Sequence, residues 1–131
     1  MWLHNGEPVT EIDDKYIAFV YMITNKLSGR RYIGKKLTKF SRTKTIKGKK
    51  KRIKIDSDWR EYWSSSDEVK KDVETLGEEN FIREILHFCV NKGTSTYMEA
   101  KLQFHHEVLE HPDLWYNGQI QCRVHRSHVK L

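Results

Sequence analysis

Two tyrosines and a dense run of cations are the residues of this chain best placed to do chemistry. Tyr21 and Tyr32 lie in the stretch FVYMITNKLSGRRYIGKK, residues 19 to 36, at comparable places on two apolar segments. Directly after it, between Lys35 and Lys54, stand eleven Lys or Arg residues and no acid. The rest of the chain then holds 13 basic residues against 18 acidic ones, so a net charge of +6 conceals a basic block on an acidic body. A run of this kind is either a solvated, disordered loop or a grip on a polyphosphate backbone, where each neutralised phosphate releases a counterion. Phe40 is the sole aromatic within it, which disfavours stacking on single-stranded bases and points to double-stranded DNA. The candidate DNA contacts are Lys35, Lys36, Lys39, Lys49, Lys50, Lys51 and Arg52, with Arg60 a little further on.

The tyrosines need a scaffold, and the local sequence supplies one. Phe19 to Ile23 is rich in β-formers, and Arg31 to Gly34 resumes the pattern after the polar stretch Asn25-Lys26-Leu27-Ser28-Gly29. Two strands joined by a turn looser than a two-residue loop are expected, with both tyrosines on one face. Gly34 permits a bend or a close approach to the backbone there. Taken by pattern alone, this is equally an ordinary hairpin with tyrosines packed on a core.

Tyr21-Met22-Ile23-Thr24-Asn25, followed after a turn by Arg31-Tyr32-Ile33-Gly34, resembles the signature of the GIY-YIG endonucleases. The second half of that signature is intact. The first half reads Phe19-Val20-Tyr21 and lacks the family's first Gly, a backbone position rather than a catalytic side chain. The likeness continues downstream in the manner of the phage-type members, with a serine pair, a helix, Gly77 and then a strand through Phe81. Asp58 is expected to cap a short helix bearing Trp59, Tyr62 and Trp63. Ser66 is expected to cap a second one from Asp67 to Leu76, stopped by Gly77. A central strand follows over residues 79 to 90. A long helix then opens at Thr94 or Ser95 and runs to about Glu110, before Pro112. On its helical wheel Tyr97, Met98, Ala100, Leu102, Phe104, Val108 and Leu109 form the apolar arc, with Glu99, Gln103, His106 and Glu110 opposite.

The resemblance implies an α/β fold, a small three-stranded, mostly antiparallel sheet flanked by helices. It would be one domain over residues 1–131 with a basic insertion at about 37–57. It also implies roles for side chains. Glu99 takes the place of the family's single metal-binding carboxylate, holding Mg²⁺ or Mn²⁺; a hard ion that keeps its waters needs no more from the protein. Arg42, eight residues after Gly34, suits the first turns of a helix whose Arg contacts the scissile phosphate, and Arg60 is its competitor. Asn117, in Tyr116-Asn117-Gly118, stands where an Asn steadies the active site. Tyr21 accepts or relays the proton of the attacking water and Tyr32 positions it. The first role calls for a cationic neighbour to lower a pKa near ~10, and Arg42, Lys35 and Lys36 are the candidates.

The implied activity is metal-dependent hydrolysis of phosphodiester bonds in double-stranded DNA. Two other readings stay open: a non-catalytic basic nucleic-acid-binding module on the same scaffold, and an interaction factor whose basic run meets an acidic protein. No 18-residue apolar run and no leader stand in the sequence, so a cytoplasmic protein that crosses no membrane is expected, in the host cell if phage-encoded. Cys89 and Cys122 lack metal-ligand spacing, which argues against zinc and for free thiols. About 14 residues follow Asn117, too few to read a long site, so specificity is low or comes from a homodimer or a protein partner. Residues 1 to 15 are an arm of unassigned placement.

Overall fold

The computed structural model describes residues 1–131. A five-stranded mixed sheet organises it, two strands more than expected, in the order β2-β1-β7-β3-β4. The strands are β1 (Trp2–His4), β2 (Glu7–Val9), β3 (Ala18–Asn25), β4 (Arg31–Leu37) and β7 (Phe81–Cys89). The extra pair comes from the arm at the chain start. Asn5 and Gly6 both take positive φ (51° and 82°), which makes a tight two-residue turn between β1 and β2. The pair docks because Trp2 is buried beside Phe19 and Tyr21, and its indole N–H donates to the Trp59 carbonyl at 2.7 Å. β1 runs parallel to β7; every other pairing is antiparallel.

Alternation along β3 sends side chains to two cores. Phe19, Tyr21 and Ile23 meet Trp2, Trp59, Val69, Val73, Phe81 and Ile85 on one face. Ala18, Val20 and Met22 meet Ile33, Cys89, Val108 and Trp115 on the other. The first core is covered by α1 (Asp67–Leu76). Ser66 caps it as expected, its hydroxyl accepting from the Val69 N–H at 3.2 Å, and Gly77 ends it at a φ of 96° that only glycine takes without strain. The second core is covered by α2 (Lys92–His105). This helix starts earlier than expected because Asn91, rather than Thr94 or Ser95, caps it, and it stops at His105 rather than about Glu110. Its inward residues also differ from the helical-wheel expectation. Gln103 is buried while Phe104 and Leu109 are exposed. The carbonyl of Ile33 on the sheet edge needs a donor, and the Gln103 amide supplies it at 3.0 Å.

The basic stretch is neither loop nor helix. It forms β5 (Lys39–Ile46) and β6 (Lys49–Asp56), a separate two-stranded ribbon outside the main sheet. Lys47 and Gly48, both at positive φ, make its two-residue turn. The expected helix carrying Arg42 is therefore a strand. After the ribbon, Asp58 is not a side-chain cap: the turn Trp59–Glu61 is 3-10, and the Asp58 carboxylate pairs with Lys36 instead.

Candidate active site

β3 and β4 set the two tyrosines by register. Tyr21 lies opposite Gly34 and Ile23 opposite Tyr32, so both phenols emerge on the α1 face with ring centroids 6.2 Å apart. The β3–β7 register slips there, with Val20 opposite His87 and Tyr21 opposite Ile85, so the extra residue Leu86 sits on β7 and Tyr21 keeps its place in the alternation of β3. Gly34 is required by contact rather than by backbone angle. A Cβ there would sit 2.6 Å from Tyr21 Cζ and 2.9 Å from Tyr32 Cε1, so the rings occupy the space that a side chain would take.

Beside this pair opens a pocket of about 510 Å³, lined by Tyr32, Ser65, Ser66, Glu99 and Gln103, by Tyr116 to Gln119 and by Gln121. Each wall has a local cause. β4 is an edge strand of the main sheet, and the segment 114–117 pairs with it: Arg31 N–H donates to the Leu114 carbonyl at 3.0 Å and Tyr116 N–H to the Arg31 carbonyl at 2.8 Å. Asn117 then continues the pairing with its side chain. Its Oδ1 accepts from the Ile33 N–H at 3.1 Å and its Nδ2 donates to the Ile33 carbonyl at 2.8 Å. The middle residue of Tyr32-Ile33-Gly34 is thus clamped by an amide. Tyr116 is tied down beside it, bonded to Asn25 at 3.0 Å and donating to Asp72 at 2.7 Å.

Glu99 and Gln103, one turn apart on α2, share a helix face and form the far wall. Burial holds the Glu99 carboxyl above its usual range, while the charge and backbone N–H of Lys35 oppose that shift. The Lys35 ammonium itself donates to the Thr96 hydroxyl at 2.7 Å. With its Nε2 committed to Ile33, Gln103 leaves Oε1 as a buried acceptor without a partner.

The tyrosines differ in setting. Tyr21 is 1% exposed, and burial pushes its phenol well above the ordinary value, with Tyr62, Tyr32 and the Glu99 carboxylate adding to the rise. The expected lowering by Arg42, Lys35 or Lys36 does not occur; desolvation wins, and the phenol stays protonated at neutral pH. Tyr32 is less buried and lines the pocket, its hydroxyl 3.3 Å from Ser65 Oγ. Burial raises it too, with the Ser65 bond pulling the other way.

Tyr21, Tyr32, Glu99 and Asn117 are thus brought together, and neither arginine candidate joins them at the pocket wall. Arg42 is exposed on β5, near the Phe40 ring, in a separate groove with Arg52, Lys54 and Lys92. Arg60 stacks on Trp59 with 4.4 Å to the ring centroid and pairs with Glu11 and Asp56. Of the predicted DNA contacts, Lys35 and Lys36 flank the tyrosine site. Lys39 is held by Asp14 and Asp56, while Lys49, Lys50, Lys51 and Arg52 lie exposed on the ribbon.

Sequence reasoning missed Gln103 and Tyr62. Tyr62 packs edge-on against Tyr21 at 5.9 Å and lies beneath the Lys36 ammonium at 4.1 Å. The spacing of Gln103 from Glu99 could have signalled it; nothing in the run Trp59-Arg60-Glu61-Tyr62-Trp63 marks Tyr62.

A divalent ion fits what is here. No group of three His, Cys, Asp or Glu side chains is assembled, so a protein cage of the zinc kind is not built. A hard ion that keeps most of its waters instead suits one carboxylate next to an unpartnered amide oxygen, as Glu99 and Gln103 provide. No helix is long and apolar enough to cross a membrane, which says nothing of strands.

No curated protein and no solved structure is significantly similar to the chain. A family model described as "Putative endonuclease segE, GIY-YIG domain" matches residues 2–120, a span that takes in both tyrosines, the ribbon, Glu99 and Asn117. On that match, the chain belongs to the SegE GIY-YIG family.

Proposed function

We propose that the protein is an endonuclease that hydrolyses phosphodiester bonds of double-stranded DNA in a divalent-metal-dependent reaction. The observation that carries this reading is the shared pocket: Tyr32, Glu99 and Asn117, distant in sequence, line one cavity with Tyr21 directly behind. The exposed cationic ribbon supports a polyanionic substrate.

Hydrolysis joins a water oxygen to phosphorus, breaks the bond to the 3′-oxygen and returns a proton to that oxygen. Tyr32, whose hydroxyl opens on the pocket, orients the water. Tyr21 is kept neutral by burial, so it serves as a relay: it accepts the water's proton as its own passes to the Tyr62 hydroxyl beside it and on to solvent, while the leaving oxygen takes a proton from pocket water. Lys35, whose charge acts on the Glu99 carboxylate, neutralises charge on the non-bridging oxygens. Arg42 contacts DNA away from the reacting atoms, and Arg60 is engaged by acids. Asn117 and Gln103 hold Ile33, and with it the tyrosine beside it. Glu99 with Gln103 would hold Mg²⁺ or Mn²⁺, which supplies Lewis acidity at the leaving oxygen when bound.

The test is incubation with supercoiled plasmid and Mg²⁺, scored for nicked and linear products. A protein that retains DNA but never cuts it would favour the binding-module reading. One that ignores DNA altogether would favour an acidic protein partner.

A further inference from the structure

The ribbon segregates its side chains. From Lys39 opposite Asp56 to Ile46 opposite Lys49, its register is unbroken, and directly opposed residues share a face. One face places Ser41, Thr43 and Thr45 along β5 against Lys54, Arg52 and Lys50 along β6. All six are exposed, all can donate a hydrogen bond and none is apolar. The other face carries Phe40, Ile46, Ile53 and Ile55 among its cations. There Lys44 lies directly opposite Lys51, a like-charge pair that weakens a ladder, and no acid stands between residues 40 and 55 to relieve it. The ribbon thus carries a repulsion that a polyanion would offset.

We infer that the ribbon enters the major groove of duplex DNA with its hydroxyl-and-cation face on the base edges. This rests on the proposed duplex substrate and adds where its sequence is read. A major groove of about 12 Å admits a two-stranded ribbon. Eight residues at ~3.3 Å each span about 26 Å, which covers roughly eight base pairs. The chemistry matches as well, since Arg and Lys pair with guanine O6 and N7 while Ser and Thr bond to either kind of base. A groove of about 700 Å³ joins the ribbon to α2, lined by Ser41, Arg52 and Lys54 from this face, by Phe40 and Arg42 from the other, and by Lys92. Lys92, Thr96, Glu99 and Gln103 follow one another along a single strip of α2, so the base of the ribbon is joined to the pocket along that helix.

The experiment uses the full chain with Glu99→Ala, equilibrated with a pool of randomised DNA duplexes whose bound fraction is sequenced. A short enriched motif is expected. The triple change Lys50→Gln, Arg52→Gln and Lys54→Gln should erase it, lowering discrimination at each contacted base by about tenfold. The charge-matched change Lys44→Gln, Lys49→Gln and Lys51→Gln should weaken retention and keep the motif. Methylating guanine N7, which projects into the major groove, should block retention of the parent at motif positions. The inference is overturned by a parent with no motif, or by a motif that survives the first triple change. Cleavage by the wild type without any motif would sink this inference alone, whereas a motif without cleavage would sink the nuclease reading alone.

Discussion

Replacing Asn117 by Ala removes both hydrogen bonds that its amide makes to Ile33, and their consequences differ. The Ile33 carbonyl keeps the Gln103 amide at 3.0 Å, so that loss is an ordinary one of about 1 kcal/mol. The Ile33 N–H keeps nothing: Asn117 Oδ1 is its partner, and the residue is fully buried. An orphaned buried donor costs about 1–3 kcal/mol, reduced where water enters from the pocket. The total is about 2–3 kcal/mol, which for a chain of this size lowers Tm by roughly 6–12 °C. Thermal unfolding followed by circular dichroism reads this directly. Tyr32 is adjacent to Ile33, so plasmid cleavage at a temperature where the variant is folded should drop by about 10², as for a misplacement near 1 Å. Asn117→Asp separates clamp from volume. It keeps the acceptor for the N–H but sets a carboxylate oxygen against the Ile33 carbonyl, so it should be at least as unstable at neutral pH and recover as the acid protonates. A stable Asn117→Ala protein, less than about 2 °C below wild type, with cleavage still lost would refute the positioning argument and give Asn117 a direct chemical part.

Other consequences follow from the same geometry. Tyr21→Phe deletes one buried hydroxyl and little packing, so cleavage should fall by roughly 10²–10⁴ with stability nearly unchanged; if only Tyr32→Phe has that effect, the relay role belongs to Tyr32. Glu99 has a folded-state pKa raised by burial, so its favourable contribution is present below its unfolded value near ~4 and is lost as pH rises through the folded one. Glu99→Gln should therefore raise Tm at pH 7, with the gain vanishing towards pH 4, while Mg²⁺ should stabilise the wild type and not the variant; an unchanged Tm at pH 7 would contradict the burial argument. If about half of the eleven cations between Lys35 and Lys54 meet phosphates, log K should fall against log salt with a slope near ~−5. Converting Lys49, Lys50, Lys51 and Arg52 to Gln should flatten it by about two units, and an intact slope would place the DNA elsewhere.

Much of the site was legible because short-range chemistry marks it. The β-rich runs on either side of Asn25 to Gly29 fixed the hairpin, and Ser66 and Gly77 bounded α1 by capping. What escaped was tertiary. Strands β1 and β2 are three residues each, too short to show a pattern within an arm of unassigned placement; what makes them strands is Trp2 filling a core assembled from residues far along the chain. The ribbon was hidden by composition, since lysine is depleted in strands, although Lys47-Gly48 suits the tight turn it makes. Gln103 falls opposite the apolar arc on a helical wheel, which cannot know that the Ile33 carbonyl lies across from it. The raised phenol of Tyr21 follows from its depth, which no local pattern reports.

The measurement closest to the central claim is plasmid cleavage by wild type and Glu99→Ala side by side, with Mg²⁺ and with chelator, alongside a retention assay on the same DNA. Nicked or linear product is expected only from wild type with Mg²⁺, with equal retention by both proteins, because binding rests on the ribbon and cutting on the pocket. Cleavage by Glu99→Ala at a near-normal rate would contradict it.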